Sequence, residues 1–140
     1  MMQYLLAEHI EKFKKSQQHL AYSYRKVTSL PTFSEQSTEE ELEVLESFAS
    51  RFARASEMYV SRVLRGLALE NDPAFRGSII DLLHMGEKYG WIANAHVWRR
   101  IRELRNVAAH EYCVDDLASL YRELIALTPH ILEITVQPNA

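Results

Sequence analysis

One stretch in the last third of the chain carries five side chains suited to phosphate and proton chemistry: Arg102, Arg105, Asn106, His110 and Tyr112. Arginine is always charged, and its planar fork of N–H donors matches the oxygen atoms of a phosphate. Histidine titrates near neutral pH and can therefore accept or donate a proton during a reaction. These residue types suit cleavage of RNA by its own 2′-hydroxyl, with His110 as general base or acid and Arg105 stabilising charge in the transition state.

The five residues fall on one predicted helix that runs from about residue 94 to residue 112. Its apolar face consists of Val97, Ile101, Leu104 and Ala108. At about 100° per residue the polar side chains lie on the opposite arc and share one surface, which predicts a shallow polar cleft. An ideal helix separates Arg105 from His110 by about 140°. The pair therefore needs a sideways reach of Arg105, a distorted helix end, or a second chain across a dimer.

The elements that must position this surface are also helical. Apolar residues recur every three or four positions from Leu6 to Val27, with Gln17 the one gap, and this helix is expected to end around Ser29-Leu30-Pro31. The pattern resumes after the overlapping capping boxes Ser37/Glu40 and Thr38/Glu41 and continues to about Leu69. A short helix is predicted over 78–88, ending before Gly90, and a last helix begins at Leu117. Thr128-Pro129 is either a kink in that helix or the start of a final short turn. We expect an all-α antiparallel bundle of about five helices, with two long helices at its centre.

Composition narrows the possible functions. The chain has 140 residues, 47% of them apolar, and a net charge of −3, which argues against nonspecific coating of nucleic acid. It contains no apolar run of membrane-spanning length and no signal-peptide pattern at its start, so we expect a cytoplasmic protein without a membrane partner. Cys113 is the single cysteine, and the histidines show no metal-ligand spacing. We therefore expect no metal and no cofactor.

A longer motif surrounds the polar residues: Trp98-x-x-Ile101-x-x-x-Arg105-Asn106-x-x-x-His110-Glu111-Tyr112, followed by Asp116-Leu117. This motif resembles the HEPN superfamily, and specifically the HepT-type toxins, which pair with a minimal nucleotidyltransferase antitoxin. The resemblance covers nearly the whole chain in length and helix order, and its specific part is this last third. It implies that residues 1–140 form a single HEPN-like domain.

The resemblance also implies roles for individual residues. Arg105 and His110 would be the catalytic pair of a metal-independent endoribonuclease that cleaves single-stranded RNA, and Asn106 a polar supporter beside them. Tyr112 would accept AMP from the antitoxin, and the added phosphate and base would block RNA by repulsion and obstruction. Such toxins are typically homodimers whose two motifs face a shared cleft lined by basic residues, and we assign Arg102 to this supporting set.

Other interpretations remain open for the same residues. The resemblance also covers non-catalytic substrate-binding subunits of nucleotidyltransferases, which keep much of the same pattern. Arg105 could pair with Glu103 or Glu111, His110 could bond a carbonyl at the helix end, and Tyr112 could pack its ring.

A second basic stretch also allows two interpretations. On a regular helix Arg51, Arg54, Arg62 and Arg65 fall within about 80°. They form either a solvated or salt-bridged face, or the wall of an RNA cleft or a dock for an acidic partner. Trp91 and Trp98 are expected to anchor the packing of the fourth helix.

Overall fold

The computed structural model describes residues 2–30, 36–108 and 116–136, with side chains from residue 5 onward. The elements in these ranges are α1 (Met2–Thr28), α2 (Glu39–Met58), a π-helical segment (Tyr59–Leu64), α3 (Arg65–Asn71), α4 (Ile79–Lys88), α5 (Ala95–Ala108) and α6 (Leu117–Leu132). Since α2, the π segment and α3 follow one another without a break, the described residues form five helical rods. They contain no strand, so the predicted all-α class is confirmed.

The helix ends follow the predicted chemistry. Of the two possible capping boxes before α2, the Thr38/Glu41 pair is formed, because the Thr38 side chain accepts from the N–H of Glu41 and the carboxylate bonds back. A box of the same kind, formed by Ser78 and Asp81, begins α4. Gly90 has a φ of 76°, the left-handed conformation that lets the chain turn after α4. The starts of α2 and α4 are therefore fixed by side-chain bonds to orphan N–H groups.

The second rod differs from the uninterrupted helix that its apolar spacing predicts. Between Tyr59 and Leu64 the backbone forms a π-helix, whose i→i+5 hydrogen bonds take more residues per turn than an α-helix. Tyr59, Val60, Val63 and Leu64 are all buried there. The wider turn keeps adjacent pairs of apolar residues in the core, and it shifts the angular position of every residue that follows.

The core lies between α1, the second rod, α5 and α6. An aromatic cluster sits at its centre: the Tyr59 ring lies 4.8 Å from that of Phe13 and 5.3 Å from that of Trp98, centroid to centroid. Trp98 is 2% exposed, which confirms that it anchors α5. Trp91 is half-buried and stacks on Tyr89 in the connection between α4 and α5. The cluster thus fixes α5 against the π segment.

The last rod continues through its proline. Pro129 lies inside α6, so it is not the first residue of a separate turn. The buried hydroxyl of Thr128 donates to the carbonyl of Leu124 at 2.7 Å and satisfies its own hydrogen-bonding requirement within the helix. Among the described residues, no helix is both long enough and apolar enough to cross a membrane.

Candidate functional site

Helix α5 carries Arg102, Arg105 and Asn106, the predicted site residues that lie in the described part of the chain. Ile101, Leu104 and Ala108 are buried as predicted, and Trp98 extends this face toward α2. Because the buried face is wider than the apolar pattern suggested, Arg102 and Arg105 are not fully exposed opposite the core. Their side chains are 31% and 28% exposed and point toward the end of α2.

A carboxylate on α2 brings these two arginines together. Nη2 of Arg105 lies 3.0 Å from Oε2 of Glu57, and Nη1 of Arg102 lies 3.4 Å from the same oxygen. The Glu57 side chain is 35% exposed, so both ion pairs are partly screened by water. Pairs of this kind contribute about 0–1 kcal/mol to stability. Their main effect is geometric, since two guanidinium groups converge on one atom.

The π segment supplies a second anchor for Glu57. Its Oε1 accepts a hydrogen bond from the hydroxyl of Ser61 at 2.6 Å. Ser61 lies inside the π segment and Glu57 just before it, so the interrupted part of the rod holds the carboxylate from one side while α5 holds it from the other. π-Helical turns occur frequently at functional sites.

Asn106 completes the described part of the site. Its side-chain oxygen accepts a hydrogen bond from Nη1 of Arg105, and the Asn106 residue itself is exposed. Arg105 is therefore held by an amide on its own helix and by a carboxylate on α2. The structure brings together Arg102, Arg105 and Asn106, as the sequence predicted. His110 and Tyr112 lie outside the described residues.

The alternative pairing of Arg105 with Glu103 is not found. Glu103 instead accepts from Nη1 of Arg100 at 3.0 Å and lies 3.9 Å from Nε of Arg99. Arg100 also donates to both carboxylate oxygens of Glu123 on α6, which raises the pKa of its guanidinium above the usual value. Arg99 and Arg100 therefore belong to a surface network distinct from the site around Glu57.

Two arginines of the basic stretch on the second rod, Arg51 and Arg62, lie beside α1 and not beside Glu57. Arg51 donates to Ser23 Oγ at 2.9 Å and to the carbonyl of His19 at 3.2 Å, both on α1. Arg62 lies near His9 on α1. The pKa of His9 is lowered first by burial of its own imidazole and then by the charge of Arg62. Angles calculated for a regular helix do not hold across the π segment. Arg51 is thus hydrogen-bonded to neutral oxygens of α1 and is not part of a salt-bridged face.

Glu57 and Ser61 are the site residues that sequence reasoning missed. A signal for them was present, because Glu57 is the single acidic residue between Arg51 and Arg65 and Ser61 follows it by four positions, one helical turn on. The identity of its partners could not be read from the sequence, because they lie 45 and 48 positions later on α5.

The described site is shallow and polar at its rim. Ser56, Val60, Trp98 and Ile101 form its floor beneath Glu57 and the two arginines, without an enclosed cavity. Such a surface suits an extended chain with exposed phosphates more than a small molecule that needs enclosure. Within the described ranges, no group of three or more His, Cys, Asp or Glu side chains is placed to hold a metal ion.

No family model, curated protein or solved structure matches the chain.

Proposed function

We propose that this chain is a metal-independent endoribonuclease that cleaves single-stranded RNA, with Arg105 and His110 as catalytic residues and Asn106 and Arg102 in support. The observation that carries the proposal is the convergence of Arg102 and Arg105 on a single oxygen of Glu57. A carboxylate and a phosphodiester both present oxygens that guanidinium forks bind, so an arrangement that gathers two forks around one can also receive the other.

The arginines have donors to offer a phosphate. Each guanidinium carries five N–H groups. The contacts with Glu57 and Asn106 engage one terminal nitrogen of Arg102 and both terminal nitrogens of Arg105. Since each terminal nitrogen carries two N–H groups, a bound phosphate can share them. A guanidinium placed this way would stabilise the extra negative charge that builds on the phosphate oxygens in the transition state.

The proposed reaction is a transesterification followed by release of the RNA ends. The 2′-hydroxyl oxygen attacks the adjacent phosphorus and loses its proton to a base, while the bond from phosphorus to the 5′-oxygen breaks and that oxygen takes up a proton. The products are a 2′,3′-cyclic phosphate and a 5′-hydroxyl, so charge and protons balance without a metal. His110 would perform one of the two proton transfers.

The resemblance of the motif extends the proposal to a biological role. The chain would be the toxin of a toxin–antitoxin pair, acting in the cytoplasm as a homodimer whose shared cleft holds both motifs. A minimal nucleotidyltransferase would neutralise it by transferring AMP to Tyr112. Co-expression with such a partner should add AMP masses to the wild-type chain and none to Tyr112→Phe, and an unmodified wild-type chain would contradict this part.

Cleavage of labelled single-stranded RNA in EDTA tests the nuclease proposal. We expect wild-type protein to leave 2′,3′-cyclic phosphate ends, and Arg105→Ala to cut about 10²- to 10³-fold more slowly, as for loss of a transition-state donor. His110→Ala should lower the rate about 10²- to 10⁴-fold. Arg99→Ala is the matched control, because Arg99 lies on the same helix and pairs with Glu103 instead of Glu57.

The outcomes separate the two functions that the motif allows. No cutting by wild-type protein whose intact mass shows no AMP would refute the nuclease. In that case the chain is better explained as the non-catalytic subunit that presents a substrate to a nucleotidyltransferase. Equal loss of activity in Arg99→Ala and Arg105→Ala would show that general charge, and not the Arg105 position, matters.

A further inference from the structure

We infer that Glu57 is a positioning residue that fixes Arg102 and Arg105 in the geometry that receives a phosphodiester; this inference rests on the proposed nuclease function. Glu57 does not belong to the motif on α5, and it reaches the site from another helix. Its role would be to order the two guanidinium groups before RNA arrives, without touching the reacting atoms itself.

The contacts of Glu57 suit such a role because its two carboxylate oxygens have different partners. Oε1 is held by the Ser61 hydroxyl at 2.6 Å, which fixes the carboxylate relative to the π segment. Oε2 then lies within 3.4 Å of nitrogen atoms from both arginines. The carboxylate is therefore a fixed point and the arginine tips are the groups that it orders.

The core beneath Glu57 and the two arginines is closely packed. Tyr59 follows Glu57 by two residues, is fully buried, and packs its ring against that of Trp98 on α5. The same contact that joins the π segment to α5 thus sets the separation between Glu57 and the backbone of the arginines. Arginine side chains have about 2 kcal/mol of rotamer freedom to lose. Ordering them in the free protein removes that cost from the step in which charge develops.

Removal of the Glu57 charge should lower the rate of cleavage without weakening RNA binding. A carboxylate beside the arginines repels phosphate, so Glu57→Gln should bind single-stranded RNA as tightly as wild type or more tightly. The arginines of that variant are less ordered, and misplacement of a catalytic group by about 1 Å can cost about 10²-fold in rate. A lower rate at saturating RNA together with unweakened binding is a result that loss of folding cannot produce.

Single-turnover cleavage and RNA affinity of Glu57→Gln provide the first measurement. We expect the rate at saturating RNA to fall about 10- to 100-fold. Glu103→Gln is the matched control, since it removes the same charge on the opposite side of α5 and should leave the rate unchanged. Ser61→Ala keeps the charge and removes its anchor, so it should lower the rate in the same direction by a smaller factor. Weakened binding with a lower melting temperature in Glu57→Gln would overturn the inference.

A second measurement does not depend on cleavage. Phenylglyoxal modifies arginine side chains, and mass mapping of peptides reports the modification rate at each site. We expect Glu57→Gln to be modified several-fold faster at Arg102 and Arg105 than wild type, with Arg99 unchanged as an internal reference. Equal rates at the two arginines would overturn the positioning role. Faster modification in a protein that cuts no RNA would instead preserve the ordering by Glu57 and refute only the nuclease.

Discussion

Replacement of Tyr59 by phenylalanine tests how firmly the site is joined to the core. The Tyr59 hydroxyl donates to the carbonyl of Trp91 at 2.6 Å and ties the π segment to the connection between α4 and α5. Burial raises the pKa of the Tyr59 phenol well above its usual range, so the group stays a donor throughout the physiological pH range. Tyr59→Phe keeps the ring in the aromatic cluster and removes that one donor.

The expected loss in the free energy of unfolding of Tyr59→Phe follows from this one hydrogen bond. A neutral hydrogen bond contributes about 0.5–1.5 kcal/mol, and a buried acceptor left without its partner costs about 1–3 kcal/mol. Trp91 is half-buried, so water reaches part of this region and we expect a loss of about 1–2 kcal/mol in the free energy of unfolding. For 140 residues the entropy of unfolding near the midpoint is about 0.3 kcal/mol per degree, which gives a fall in Tm of about 3–7 °C.

Chemical denaturation and thermal unfolding, each followed by circular dichroism, measure this loss. Tyr22→Phe is the matched control, because Tyr22 is 51% exposed on α1 and its substitution should stay within about 0.5 kcal/mol of wild type. A Tyr59→Phe protein within that same range would refute the argument that the hydroxyl joins the two elements. A loss above about 4 kcal/mol would also contradict it, because that size indicates repacking of the core.

Two further predictions concern the ends of α4. Gly90→Ala should lower the free energy of unfolding by about 1–2 kcal/mol, because an alanine is strained at a φ of 76° although its Cβ would meet nothing within 4 Å. Gly90→Asn should lower it less, since asparagine adopts this conformation more readily. Equal denaturation midpoints for Gly90→Ala and wild type would contradict this backbone strain. The N–H and then the hydroxyl of Ser78 lower the pKa of Asp81 below its usual 3.8, so the stabilisation by this carboxylate is present above that value and is lost as pH falls through the lowered pKa. Denaturant titrations from pH 6 to pH 2 should therefore show the difference between wild type and Asp81→Asn shrinking in acid, and a constant difference would refute the assignment.

Most of the fold could be predicted because its signals are local. The Thr38/Glu41 box, the turn at Gly90 and the three-four spacing of apolar residues each depend on neighbours within a few positions. The π segment could not be predicted, because Tyr59, Val60, Val63 and Leu64 follow a spacing that an α-helix nearly satisfies. The burial of Tyr59 depends on Phe13 of α1 and Trp98 of α5, which are distant in the sequence.

The same reasoning explains why the candidate site was only half visible in the sequence. Arg102, Arg105 and Asn106 lie within five positions on one helix, so a helical wheel brings them together. Glu57 meets them only because Tyr59 and Trp98 pack in the core and set the distance between α2 and α5. A motif on one helix can thus predict the groups that would bind a phosphate. The residue that holds those groups in place cannot be predicted in this way, because tertiary packing brings it to the site. For this chain, Glu57→Gln consequently tests whether the packing of α2 on α5 orders the two arginines, and Glu103→Gln controls for the loss of one carboxylate charge elsewhere on α5.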